Sequence, residues 1–305
     1  MLHVRSLDEG LDIFKALGSE VRINIIKLLA NNSMSMNELA RMLNITNGAL
    51  TNHIKKLEDC GLIKVSSEST GHGNQKKCYF YLDKILISLV GEEFPDNVYS
   101  TDVRIGQYSD FLVYPTCGLA SGTAIIGEVD DPRYFSHPKR FDADIIWFTR
   151  GHVEYIIPNF IPVGQAIDQI SLSFEISSEA PGSNDVWPSD ISFFMNDDKI
   201  ATWTSPGDFG SRRGIFTPDW WEPNWNQYGL LKILVINKNG TFIDGLKYSD
   251  ISLRHFKFDY RSTIKFKVAV ENTARHIGGV TLFGMSFGNY SQDISVRINY
   301  SPLSR

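Results

Sequence analysis

The sequence predicts a multidomain α+β chain, helical at the front and all-β antiparallel behind. Two observations carry this. Apolar residues recur at helical spacing through the first sixty or so residues, then at alternate positions in short runs over the last 150 or so. All six tryptophans lie beyond residue 140, so composition changes along with the period. A third observation bounds the partners. Residues 1–91 carry 11 Lys and Arg against 9 Asp and Glu, whereas residues 92–305 carry 19 against 26, within a net charge of −5. A nucleic-acid partner therefore belongs with the first part, because the second repels a phosphate backbone. Cys60, Cys78 and Cys117 form neither a metal pair nor a disulfide framework, which fits a reducing cytoplasm. No apolar run approaches the roughly 20 residues of a membrane span, and the first ten residues lack the apolar stretch of a secretion signal.

In order along the chain, Leu7, Leu11, Phe14 and Leu17 make an apolar stripe, so a first helix covers Leu7 to Leu17. Gly18 ends it and Ser19 starts the next, which carries Val21, Ile25, Leu28 and Leu29 until Asn31-Asn32-Ser33. Ser35, followed three residues later by Glu38, is a capping box that starts a third helix near Met36. Thr46 caps a fourth, whose buried face is Leu50, Ile54 and Leu57 and which stops at Gly61. The fourth helix turns Asn47, Thr51, Asn52, Lys55 and Lys56 outward, with His53 beside them. Short amides, hydroxyls and lysines suit base edges and phosphates. Such a face can also be no more than solvated, and His53 can instead pack half-buried against the first helix. Leu62 to Val65 and Lys76 to Leu82 read as two strands around a polar loop, Ser66 to Gln75, with His72, Asn74, Gln75, Lys76 and Lys77 at its tip. Four helices and a hairpin make a winged helix-turn-helix over residues 1–91. Asp83 to Val90 either extends the strand or forms a short helix.

The stretches L-D-I-F-K-A-L-G-S-E-V-R-I-N-I-I-K-L-L-A and M-N-E-L-A-R-M-L-N-I-T-N-G-A-L-T-N-H-I-K-K-L-E-D-C-G-L-I resemble the ArsR-type winged-helix transcription regulators over roughly residues 7–82. The resemblance implies a homodimer on a palindromic operator in double-stranded DNA. The helix over 47–57 would enter the major groove, the wing would touch the neighbouring backbone, and a terminal helix after the wing would pair with the first helix. The expected DNA-binding residues are Thr46, Asn47, Thr51, Asn52, His53, Lys55, Lys56, His72, Asn74, Lys76 and Lys77. Metal sensors of that family place two cysteines close to the E-L-A helix. Here the neighbourhood reads Ser35-Met36-Asn37, so no metal and no cofactor is expected, and the signal must enter elsewhere.

After a connector over 92–105, residues 106–305 predict a β-sandwich of jelly-roll type. About nine alternating runs, among them Ile170–Ile176, Lys199–Trp203, Leu230–Ile236, Ile251–Phe256, Thr263–Val270 and Gly279–Phe287, are separated by Asn-Gly, Asp-Gly and Pro-Gly turns. Gly106 to Arg150 should supply extra strands and long loops. The loop after Trp203 is the sharpest feature, because it concentrates Asp208, Arg212, Arg213, Asp219, Trp220, Trp221, Glu222 and Trp225. Aromatic faces beside planar polar groups suit sugars, so these residues with Trp203 are the expected ligand site, and a small-molecule effector, a sugar or glycoside, is the expected partner. The tryptophans could instead simply cap the open end of the sandwich. Arg133, Tyr134, His137, Arg140, Trp147, Arg150 and His152 form a second polar-aromatic group that could complete a pocket. A β-domain serving only assembly is the competing reading. A glycosidase would need two carboxylates roughly 5–10 Å apart. Asp208, Asp219 and Glu222 are available by number, but no catalytic motif accompanies them, and the chain is expected not to be an enzyme.

Overall fold

The computed structural model describes residues 2–4, 7–30, 32–70, 73–80, 82, 85–87 and 97–303. The chain divides into two compact units, Met1–Glu93 and Phe94–Arg305.

The first unit runs β1 (Leu2–Val4), α1 (Leu7–Leu17), α2 (Glu20–Leu29), β2 (Met34–Ser35), α3 (Met36–Leu43), α4 (Asn47–Asp59), β3 (Lys64–Thr70), β4 (Gly73–Tyr79) and β5 (Ile85–Ile87). Local chemistry sets the helix ends. The Ser35 hydroxyl accepts the Glu38 N–H, while the Glu38 carboxylate accepts the Ser35 N–H at 2.8 Å and its hydroxyl at 2.7 Å. These bonds, led by the backbone one, hold the Glu38 carboxyl below the usual carboxylate range. Asn44 closes α3 at φ 52°, a left-handed conformation that Asn tolerates better than most residues. The Thr46 hydroxyl caps α4 by accepting the Ala49 N–H, and α4 stops before Gly61 at φ 68°. Ser19 occupies the N-cap position of α2, but its hydroxyl makes no capping bond. Ile25, Leu39, Leu50 and Leu57 are inaccessible to solvent at the centre of this unit, with Ile54, Leu62 and Ile63 around them.

Two parts of this unit differ from the sequence reading. The stretch Ser66–Gln75, expected as a loop, is mostly ladder: β3 and β4 pair from Lys64↔Tyr79 out to Thr70↔Gly73. Small hydroxyl residues carry little strand signal of their own, and here cross-strand pairing decides the backbone. After the wing, the described residues hold β5, which runs parallel to β1. Within Asp83–Val90, Ile85–Ile87 is therefore neither an extension of the wing strand nor a helix, but a separate short strand whose partner is β1. Residues 88–96 and His72 lie outside the described residues.

The second unit is an antiparallel β-sandwich: β6 (Val98–Val103), β7 (Asp110–Ala120), β8 (Ile145–Ile157), β9 (Gln165–Ser177), β10 (Ser189–Met195), β11 (Asp198–Ser205), β12 (Leu230–Asn237), β13 (Gly240–Ile243), β14 (Leu246–Ser249), β15 (Ile264–Val270), β16 (Val280–Phe283) and β17 (Ile294–Pro302). One run of strands is β11-β10-β15-β8, with β7 also on β8. Another contains β6-β17-β9-β12-β13-β14. The short β16 joins the two by pairing with Ile145–Phe148 of β8 and Glu175–Ser177 of β9. Inward residues interdigitate between the layers: the Phe174 ring lies 5.5 Å from Phe193 and 5.7 Å from Phe266.

Asp244 and Gly245 both take positive φ, 51° and 83°, at the two-residue turn between β13 and β14. This is the backbone that an Asp-Gly hairpin turn requires. Val98–Val103, read as part of the connector, is an edge strand on β17. Ile251–Phe256, read as a strand, is instead a tight helical turn at Leu253–His255, where the Ser252 N–H donates to His255 Nδ1 at 3.0 Å. That local bond competes with the ladder. Gly279–Phe287 shortens to β16, because Gly284–Phe287 turns away.

Candidate functional site

The outward face of α4 is built from the residues the sequence singled out, but they differ in what they already hold. Thr46, Asn47, Thr51, Asn52, Lys55 and Lys56 are exposed. Thr46 is engaged as the cap. The Asn47 amide donates to Asn37 Oδ1 at 3.0 Å, and the Thr51 hydroxyl donates to the Asn47 carbonyl at 2.8 Å. Asn52, Lys55 and Lys56 make no side-chain hydrogen bond or ion pair to other described residues. His53 is half-buried, and its Nδ1 is buried without a hydrogen-bond partner among the described residues. Burial first, then the positive charges of Arg22 and Lys56, pushes its pKa down, so the ring is neutral at pH 7 and brings no charge to this face. Lys76 is exposed on β4. Lys77, opposite Ser35, is half-buried with its Nζ 5.8 Å from the Tyr79 ring. Asn74 lies on β4 opposite Ser69.

Sequence reading missed two supports of this face. Asn37, on α3, fixes the orientation of Asn47. Arg22, only 8% exposed, donates from Nη2 to the Lys15 carbonyl at 2.7 Å and from Nε to that of Ala16, closing the C-terminal end of α1. The one available signal was spacing: Arg22 shares one face of α2 with Ile25 and Leu29.

In the β-unit, the structure separates the nine residues expected to act together. Trp203 belongs to the main core, with the Lys232 ammonium 4.6 Å from its ring, and is therefore out of reach of a ligand at the loop. Asp208 is fully buried. Its Oδ2 accepts the Ala180 N–H at 2.9 Å, its Oδ1 has no partner among the described residues, and burial pushes its pKa up to about 8. A carboxyl so enclosed is no half of a solvent-facing pair. Trp221 is buried at the centre of a satellite core with Trp147 and Phe287, their ring centroids 5.7 and 5.0 Å from its own, all edge to face. Trp225 lies 4.6 Å from Trp221 and is half-buried. Trp220 stands at the edge, 36% exposed, its Nε1 donating to the Gly122 carbonyl at 2.8 Å. Arg213 is exposed, donates to the Thr217 and Pro218 carbonyls and lies 3.6 Å from Asp219. The Arg212 guanidinium is 5.0 Å from the Tyr228 ring. Glu222 is exposed.

The expectation that the tryptophans cap the end of the sandwich thus holds for Trp221. The surface around Trp220 is also apolar: Ile215, Phe216 and Met285 are exposed, and Phe216 is tied to Gly288 beside the Phe287 that Trp220 meets edge to face. Of the second group, only Trp147 joins this region. Arg140 packs over Tyr108 at 4.3 Å, Arg150 over Tyr114, and His152 pairs with Asp110 at 3.0 Å.

Two carboxylates that the sequence did not flag, Glu175 buried and Glu179 half-buried, order the loop. Glu175 accepts the N–H groups of Gly229, Asn289 and Tyr290 at 2.7–3.0 Å. Glu179 accepts from Asn226 at 3.1 Å, Thr281 at 3.2 Å and Thr116 at 3.3 Å, and desolvation followed by the nearby Asp208 raises its pKa well above the carboxylate range. Among the described residues, no group of three or more His, Cys, Asp or Glu side chains is placed to hold a metal, and no helix is long and apolar enough to cross a membrane.

A family model described as bacterial regulatory protein, arsR family, matches residues 19–65. Reduced HlyU from Vibrio cholerae N16961 is 25% identical over 23% of this chain and 70% of that chain, with a TM-score of 0.21. A possible transcriptional regulatory protein (fragment 1–100) from Mycobacterium bovis is 22% identical over 24% and 75%, with a TM-score of 0.22. A carbohydrate-binding-module structure, CBM51 from Clostridium perfringens GH95 in complex with methyl-galactose, is 10% identical over 65% of this chain and 99% of that chain, with a TM-score of 0.28. No curated protein matches the chain. Residues 19–65, which span α2, α3 and α4 and reach the start of β3, are an ArsR-family helix-turn-helix domain, and the chain that carries it is a DNA-binding transcriptional regulator.

Proposed function

We propose that the chain binds a palindromic operator as a homodimer in the cytoplasm, and that its β-domain, residues 106–305, senses a sugar or glycoside. Asn47, Thr51 and Asn52 read base edges, while Lys55, Lys56, Lys76 and Lys77 take phosphates, and Thr46, His53, His72 and Asn74 are the further DNA contacts. The effector lies against Trp220, with Trp225, Arg212, Arg213, Asp219 and Glu222 around it. The single observation that carries the DNA half is the capped α3–turn–α4 unit with its exposed face of amides, a hydroxyl and lysines. For the sensing half it is Trp220, a large ring at the exposed edge of a largely buried aromatic cluster and oriented by its bond to Gly122.

An effector that binds the operator-competent and incompetent arrangements unequally shifts the population between them, and only its differential affinity counts. The test is a titration of the full-length protein with mono- and oligosaccharides, reading tryptophan fluorescence and operator affinity together. A sugar that quenches or shifts the fluorescence and changes operator affinity supports both halves. A broad panel with no coupled change refutes sensing and leaves the β-domain to assembly, and light scattering of the same samples reads that role directly.

A further inference from the structure

β17, β9 and β12 lie side by side, and their registers set three amides in one row. Asn299 pairs with Gln169, and Gln169 pairs with Asn237. Their chain neighbours Ile298, Ile170 and Ile236 are buried in the core, so the amides stand on the opposite, outward face. Side chains placed directly across adjacent strands lie close enough to share one ligand.

One step further the ladder slips. Tyr300 pairs with Ile167, which leaves Asp168 as an extra residue in β9. Ile167 packs on the core while Asp168 is exposed, so the bulge turns the Asp168 carboxylate to the side of Gln169. The tight turn from β12 to β13 adds Lys238 and Asn239, and these six residues line a cavity of about 430 Å³. Some of their polar atoms are committed: Asn237 Oδ1 accepts the Asn239 N–H at 2.8 Å, and Gln169 Nε2 donates to Ser171 at 3.1 Å. Asn299 Oδ1 is buried and has no hydrogen-bond partner among the described residues.

Four amides, one carboxylate and one ammonium line the cavity, and their formal charges cancel. No aromatic ring is among them. An amide both donates and accepts, which is what a hydroxyl needs on each side, and a row of amides meets successive hydroxyls of one molecule. We propose that this groove is a second ligand site, for a neutral polyhydroxylated small molecule held by hydrogen bonds alone. It shares no residue with the Trp220 surface and stands whether or not that surface binds a sugar.

The test uses full-length protein with nitrogen-labelled Asn and Gln side chains, titrated with methyl glucoside, methyl galactoside and glycerol, and separately with glycine as a zwitterion. Saturable movement of the side-chain amide signals of Gln169, Asn237 and Asn299 with at least one polyol is expected. It should be unchanged in Trp220→Ala, and lost at Asn299 in both Gln169→Ala and Asn237→Ser, with the other amide signals of those variants reporting an intact fold. Three results overturn the proposal: no saturable movement with any of the polyols, movement with glycine alone, or movement that disappears in Trp220→Ala.

Discussion

The Asn47 side-chain amide donates to Asn37 Oδ1 at 3.0 Å, tying the first turn of α4 to α3. Asn52, five residues further along α4 and also exposed, holds no partner among the described residues. The two asparagines therefore differ in what a base edge asks of them: Asn47 arrives oriented, and Asn52 arrives free to pair.

Asn52→Ala should relax sequence discrimination by about 1–3 kcal/mol at one operator position, whereas Lys55→Ala should weaken all sequences alike and lower the salt slope of binding by about 1. Binding to the operator and to single-base variants across a salt series separates the two effects. Equal losses for both variants on every sequence would remove Asn52 from base readout.

Arg22 closes α1 by donating to the Lys15 and Ala16 carbonyls from a buried position. Arg22→Leu leaves those acceptors without that donor and should lower the stability of the first unit by about 1–3 kcal/mol. Urea unfolding followed by helical circular dichroism measures this. The same change removes a positive charge that depresses the His53 pKa, so that ring should titrate higher in the variant.

Trp220→Ala and Trp221→Ala are expected to part company. Trp221 is buried among Trp147, Trp225 and Phe287, and its loss should cost about 3–5 kcal/mol in thermal stability. Trp220, at the rim, should cost about 1 kcal/mol while abolishing any fluorescence response to the effector. Calorimetry with a sugar titration on each variant checks both.

Asp208 makes the stability of the β-unit depend on pH. Unfolded, its carboxyl ionises near the ordinary 3.8; folded, burial holds the proton up to about 8. The folded state thus binds more protons between those values, and stability from this group falls as pH rises through that window, then levels off. Glu179, raised in the same direction, adds to the slope. Thermal melts followed by tryptophan fluorescence, which reports this unit alone because all six tryptophans lie in it, should flatten across that window in Asp208→Asn. An unchanged slope would assign it to other groups.

Legibility followed the range of the interactions. The helices of the first unit begin and end where Ser35, Thr46 and Gly61 place them, because capping bonds link residues three apart and the apolar stripe repeats within one turn. The Asp244-Gly245 turn was legible for the same reason. The outer half of the wing was not: Ser66 to Thr70 become strand through a partner strand, and nothing in their own side chains announces it.

The sequence by itself determined the helix-turn-helix, the candidate reading face of α4, the lack of any cysteine within residues 33–43, and the change to alternating β-strands. These rest on local spacing and on residue chemistry. Only the tertiary structure decided which tryptophan of one loop is a surface and which is core, that Asp208 is enclosed, that Glu175 gathers three backbone N–H groups, and that Asn299, Gln169 and Asn237 share a row. Those facts depend on registers between strands far apart in the chain. Such registers are set by burying one face of each strand against the other sheet, so no window of sequence contains them.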